Sequence, residues 1–87
     1  MGLRRSERVR KEIEQQLALF GLRGGDRDAA VVVLQSVAEG TSLAEILAKQ
    51  PGTLLEGLRA LQKARVFSYD DPGLSRLVRW AKGLGAP

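Results

Sequence analysis

Two pairs of carboxylates are the residues of this sequence whose type and spacing best fit catalysis. Asp26 and Asp28 form one pair and Asp70 and Asp71 the other, and paired carboxylates can serve as general acid and general base. Each pair stands at a predicted helix start or turn, where a capping role already explains an aspartate. The chain has no histidine and no cysteine, so the commonest base, thiol nucleophile and transition-metal ligands are missing. We therefore expect no enzyme activity, no metal site and no cofactor.

Basic side chains offer a different chemistry, the binding of phosphate groups, and they are concentrated at one end of the chain. The formal net charge is +4, and residues 1–11 contain five basic residues against one acidic residue. Residues 12–87 are balanced, with nine of each sign. Attraction to nucleic acid should therefore be strongest at the amino-terminal end, through Arg4, Arg5, Arg8 and Lys11. The alternative is that this run is only a well-solvated helix start.

The sequence predicts two consecutive helices in the middle of the chain, and these helices position further polar side chains. Ser42 is followed three residues later by Glu45, and Thr53 three residues later by Glu56, so each pair can form a capping box at a helix start. Pro51 lies between them, and proline disfavours helical geometry at the residue before it. The pattern predicts a short helix, a tight turn and a longer helix, which together form a helix-turn-helix.

Apolar spacing predicts three further helices. The first covers residues 3–20, the second starts at Asp26 or Asp28 and runs to about residue 39, and the last covers residues 72–82. Three successive valines in the second helix also suit a strand, and residues 74–80 could form a strand as well. We expect a mainly α-helical fold of about five helices, in one domain that spans residues 1–87.

Three pieces of the sequence resemble the winged-helix DNA-binding domains of small bacterial regulators such as the ArsR and MarR families. They are VVVLQSVAEGTSLAEIL, LLEGLRAL and ARVF, and they lie within residues 28–67. The resemblance implies a helix-turn-helix-type core over residues 26–82 and a short two-stranded wing, for which residues 66–69 could supply a strand. These families usually have a glycine where the helix turns into the wing, and Arg65 stands at that place.

A helix of this kind often enters the major groove of DNA. In that position the second helix of the pair would present Thr53, Arg59, Lys63 and Arg65. Arg59 could read a guanine edge, while Lys63 and Arg65 would meet phosphates. The alternative is that these side chains are ordinary solvated groups.

The long amino-terminal helix, residues 1–20, is a candidate dimerisation arm, because some members of the resembled families dimerise through such a helix. Its apolar stripe would be the interface, formed by Val9, Ile13, Leu17 and Phe20. A chain of 87 residues buries a small core, so a homodimer would also add stability.

Trp80 stands among three cations, Arg76, Arg79 and Lys82. An aromatic ring beside cations can stack on a base or on a partner surface. The alternative is that Trp80 closes the small core while the charged groups stay in water.

Two functions follow from these observations. The first is DNA binding by a small transcription regulator; the second is a helical module for protein–protein interaction or oligomerisation, favoured by an expected exposure of Ile46 and Leu55. No apolar run reaches the roughly 18 residues that cross a bilayer, and the first residues are too charged for a secretory signal. We expect no membrane partner and a cytoplasmic location.

Overall fold

A computed structural model describes residues 2–67 and 73–85 of the chain, with side chains from Ser6 onward. These residues form five α-helices and no strand, which confirms the expected mainly α-helical fold. The helices are α1 (Gly2–Leu19), α2 (Gly24–Ala38), α3 (Leu43–Lys49), α4 (Pro51–Lys63) and α5 (Gly73–Gly85).

Helix α2 is the centre of the fold, because α1, α4 and α5 all pack against it. Six of its residues are buried, namely Ala30, Val31, Val33, Leu34, Val37 and Ala38. The valines that also suited a strand are therefore helical, since burial on several sides outweighs the weak preference of β-branched residues for strands. Val32 is the exposed member of the triplet.

The contact between α2 and α4 is close because α4 has a glycine in its middle. A Cβ atom at Gly57 would collide with the side chain of Val33 and would lie 2.9 Å from the carbonyl oxygen of Ala29. Glycine inside a helix lowers its stability by roughly 0.5–1 kcal/mol relative to alanine. Here that loss is offset by the approach of the two backbones, which fixes α4 firmly on α2.

Three helices end in the same way, with a residue in the left-handed conformation. The residues are Gly21 (φ 85°) after α1, Gly40 (φ 100°) after α2 and Arg65 (φ 62°) after α4. In each case the next amide donates to a carbonyl five residues earlier: Leu22 to Leu17 (3.2 Å), Thr41 to Ser36 (2.9 Å) and Val66 to Leu61 (3.0 Å). This is the Schellman motif, which normally uses glycine at that position. Arg65 occupies it without being glycine.

The start of α4 differs from the sequence prediction. Ser42 caps α3 as expected, since its hydroxyl accepts a hydrogen bond from the Glu45 amide at 3.1 Å. The cap predicted at Thr53 is wrong, because α4 begins two residues earlier at Pro51. Proline needs no amide partner at the first helical position and its φ angle suits a helix. Gln50 is then the single non-helical residue between α3 and α4.

Two other boundaries also differ. The predicted aspartate cap of α2 is wrong, because α2 begins at Gly24 and Asp26 lies inside its first turn. An acidic group there favours the helix through its dipole rather than through a cap. Residues 74–80 are helical in α5, so they do not supply a wing strand. Val66 and Phe67 are not in a strand, and residues 68–69 of that predicted strand and the Asp70–Asp71 pair lie outside the described residues.

Candidate nucleic-acid interface

Lys63 and the first residues of α1, both in the predicted DNA-binding regions, lie at opposite ends of α2. Near the amino terminus of α1, Ser6 and Val9 border a cavity with Ala38, at the end of α2. Lys63 of α4 lies instead beside Asp26, at the start of α2. Twelve helical residues separate Asp26 from Ala38, a distance of about 18 Å at 1.5 Å per residue. The structure therefore does not bring the cations of α1 together with those of α4.

The basic residues of α1 alternate with acidic ones in space. Arg8 and Lys11 are exposed, and both border one shallow pocket together with Glu7 and Glu12. Two charges of each sign therefore share this surface, and their fields largely cancel at the distance of a ligand. Arg4 and Arg5 belong to α1, but their side chains are outside the described part of the structure.

The outward face of α4 is also close to neutral. Arg59 and Lys63 are exposed on it, as predicted, but Glu56 borders the same pocket. Lys63 Nζ lies 3.7 Å from Asp26 Oδ2, across the gap to α2. Thr53 is half-buried and stands about 120° around the helix from Arg59 at 3.6 residues per turn. The structure thus places Thr53 on a different side of α4 from Arg59.

Arg65 lies just beyond α4 and is exposed. Its left-handed backbone turns the chain away from the helix axis, so that Val66 packs back toward the core. For a residue with a Cβ atom this conformation costs roughly 1 kcal/mol. The structure thus keeps a cation at a position where glycine would be favoured energetically.

Helix α5 carries the most uniform charge in the described part of the chain. Between Gly73 and Gly85 there are three basic residues, Arg76, Arg79 and Lys82, and no acidic one. All three are exposed, and successive members are three residues apart, so they follow one side of the helix. The opposite side, which includes Ala81, packs on the core. We name the three cations the α5 basic face.

The α5 basic face lies between two grooves. On one side Arg79 and Lys82 border a groove with Leu43 of α3. On the other side Arg76 borders a larger groove of about 550 Å³, which we name the α1–α5 groove. Its walls include Gln16 and Leu17 of α1, Phe20 just after α1, and Arg76, Leu77 and Trp80 of α5. None of the described residues that border either groove is acidic.

The predicted dimer interface is largely inside the molecule. Val9, Ile13 and Leu17 are buried by their own chain, so in this fold they offer little surface to a second copy, and a homodimer stays a prediction. Their stripe faces α2 and α5, which the sequence could not distinguish from a partner helix. Phe20, the fourth residue of that stripe, is 49% exposed.

Exposed apolar side chains occur elsewhere on the surface. Leu19 at the end of α1 is 79% exposed, and Leu47 and Leu55 are each more than half exposed. The expected exposure of Leu55 is confirmed, whereas Ile46 is buried and its neighbour Leu47 takes the outward position.

The sequence singled out Arg76, Arg79 and Lys82 only as neighbours of Trp80, a candidate surface for a base or a partner, and not among the predicted DNA-binding residues. The signal was present, because a segment of 13 residues contains three cations and no carboxylate. It was obscured by Asp70 and Asp71 immediately before the helix, and by the larger cluster near residue 1.

Comparison with protein families, curated proteins and solved structures gives no match to this chain. None of the described helices is long and apolar enough to cross a membrane. The described residues also contain no group of three or more acidic side chains placed to hold a metal ion.

Proposed function

We propose that this protein binds nucleic acid and that the α5 basic face holds the phosphate backbone. One observation carries the proposal: Arg76, Arg79 and Lys82 are exposed along one helix side, and no acidic side chain is among the described residues that border the two adjacent grooves. Cations in such an arrangement displace the counterions of a phosphate chain, which is the main source of affinity in nucleic-acid binding. The α1 and α4 cations lack this property because carboxylates accompany them.

Within this proposal α3 and α4 act as a helix-turn-helix pair, like that of the winged-helix regulators the sequence resembles. The order of a short helix and a longer helix supports this role, as does the exposure of Arg59 on the outward face of α4. The junction at Gln50 is shorter than the usual turn of roughly three to four residues. That face is nearly neutral, so its contribution is to discriminate between base sequences rather than to attract DNA. The protein would then act as a small transcription regulator.

The test compares two triple variants with the same change in net charge. Arg76→Gln, Arg79→Gln and Lys82→Gln together remove the α5 basic face, while Arg8→Gln, Arg10→Gln and Lys11→Gln remove three cations from α1. Fluorescence anisotropy with a labelled duplex at several salt concentrations measures both affinity and its salt dependence. We expect the α5 variant to lower the slope of log K against log salt by roughly 2–3, because each phosphate contact contributes about 0.9. The α1 variant should change it far less.

Equal losses of duplex affinity in the two triple variants would show that binding depends only on total charge. That result would contradict a specific role for the α5 basic face. Binding that is absent, or that does not change with salt, would contradict nucleic-acid binding altogether. Circular dichroism of both variants checks that the helices are retained.

A second candidate function is protein–protein interaction, including formation of a homodimer. It is favoured by the exposure of Leu19, Leu47 and Leu55, which are large apolar side chains on the surface. Association through such side chains strengthens or persists at high salt, unlike phosphate binding. Sedimentation at several protein concentrations, with and without duplex DNA, distinguishes self-association from a DNA-dependent complex.

A further inference from the structure

We propose that the α1–α5 groove binds unpaired bases, so that a single-stranded segment of nucleic acid is a ligand of this protein. The inference rests on the proposed function for the phosphate contacts, and adds a site for the bases. It begins from two aromatic rings that border the groove from different parts of the chain. Phe20 just after α1 is 49% exposed, and Trp80 in α5 is half-buried.

Aromatic side chains in a basic groove are the usual platform for single-stranded nucleic acid, because every base has a face that can stack. Arg76 borders the same groove, and its planar guanidinium can also stack on a base. Gln16 adds an amide that can both donate and accept hydrogen bonds at a base edge. A volume of about 550 Å³ falls within the usual range of small-molecule sites.

The α5 basic face can bind the phosphates of a nucleic-acid strand where that strand leaves the groove. Arg76 stands at the groove, and Arg79 and Lys82 follow on the same side of α5. The rise along the helix from Arg76 to Lys82 is about 9 Å. Phosphates that leave the groove would therefore meet further cations, and no described acidic residue borders this path.

Two other anionic ligands fit less well. A membrane surface would need the apolar side of α5 to insert among lipid tails, but that side packs on the core, where Ala81 is fully buried. Duplex DNA keeps its bases stacked inside the helix, so it cannot offer base faces to Phe20 and Trp80. A single strand presents both the phosphates and the faces.

The experiment uses the intrinsic fluorescence of Trp80, the single tryptophan of the chain, which reports directly on the groove. The full chain is titrated with an oligonucleotide of thymidines, with a duplex of equal length, and with vesicles of phosphatidylglycerol. We expect the single strand to quench Trp80 emission to saturation at a lower concentration than the duplex does. Phe20→Ala should weaken binding of the single strand roughly tenfold, and Phe20→Tyr should retain it.

Leu19→Ala is the matched control, because Leu19 is the neighbouring residue and is more exposed than Phe20, yet does not border the groove. It should leave the titration unchanged. Equal losses from Leu19→Ala and Phe20→Ala would overturn the inference, as would quenching by the vesicles in preference to the single strand. Duplex binding with no response to the single strand would overturn it while leaving the proposed function intact. Failure of both nucleic acids to bind would overturn both.

Discussion

The outward face of α4 and the basic face of α5 are both exposed helix surfaces, but they differ in how their charges are arranged. On α4, Arg59 and Lys63 lie beside Glu56, and Lys63 also lies 3.7 Å from Asp26 of α2. On α5 the three cations lie beside two grooves that no acidic residue borders among those described. A basic residue thus attracts a phosphate chain only if the groups brought near it by the fold leave its charge uncompensated.

This difference suggests that the two helices contribute differently to binding, one to affinity and the other to discrimination between bases. Uniform charge gives affinity that does not depend on base sequence, whereas a neutral surface with one arginine and one carboxylate can discriminate between bases. Helix α4 is held close to α2 at Gly57. The comparison can be tested by disturbing α4 while α5 is left unchanged.

Among these variants, Gly57→Ala should change the free energy of unfolding most. The added methyl group would collide with Val33 and crowd the Ala29 carbonyl, and overpacking of this kind typically costs about 1–3 kcal/mol. The variant should have a lower midpoint of urea unfolding, and its α4 face should be displaced. Binding of a single strand, measured through Trp80 below the unfolding transition, should be retained.

Gly52→Ala is the control for this prediction, since it lies in the same helix and no atom lies within 4 Å of the place that its added methyl group would take. It should leave the free energy of unfolding unchanged or raise it by up to about 0.5–1 kcal/mol. If both alanines had the same effect, helix propensity and not the close α2–α4 contact would determine the stability of α4.

Arg65→Gly is expected to change the free energy of unfolding less, and to raise it rather than lower it. Glycine adopts the left-handed conformation freely, so the substitution should raise the free energy of unfolding by roughly 0.5–1 kcal/mol. It also removes a cation at the end of α4, so duplex affinity should fall slightly as stability rises. A urea titration and an anisotropy titration on the same variant measure the two changes, and a loss of stability would contradict the left-handed assignment of Arg65.

The smallest effect is expected for Asp26→Asn, which removes the carboxylate beside Lys63. The α4 face then gains one unit of positive charge, so duplex affinity at low salt should rise roughly two- to fourfold. Asp28→Asn is the control, because Asp28 is also exposed on α2 but does not border the pocket that contains Arg59 and Lys63. An equal rise in both variants would mean that net charge alone is responsible.

The helices themselves could be predicted from the sequence, because apolar spacing and the cap at Ser42 are local signals. The start of α4 could not, since Pro51 both ends a preceding helix and suits the first position of the next. The pattern alone gave no reason to prefer the second role.

The site was harder to predict because charge cancellation depends on tertiary contacts. Asp26 and Lys63 are 37 positions apart in the sequence, and only the packing of α4 on α2 makes them neighbours. The apolar stripe of α1 raised the same difficulty. Its spacing showed that Ile13 and Leu17 must be covered, but α2 and α5 of the same chain provide that cover.

The central position of α2 has a consequence for what happens when the protein unfolds. Residues 29–34, AAVVVL, have no charge, proline or glycine, and in the folded state all but Ala29 and Val32 are buried. Once exposed, a short apolar segment rich in valine favours intermolecular β-pairing, the first step of aggregation. Heating should therefore lead to irreversible precipitation, and the helices that cover α2 also protect the chain from self-assembly into fibrils.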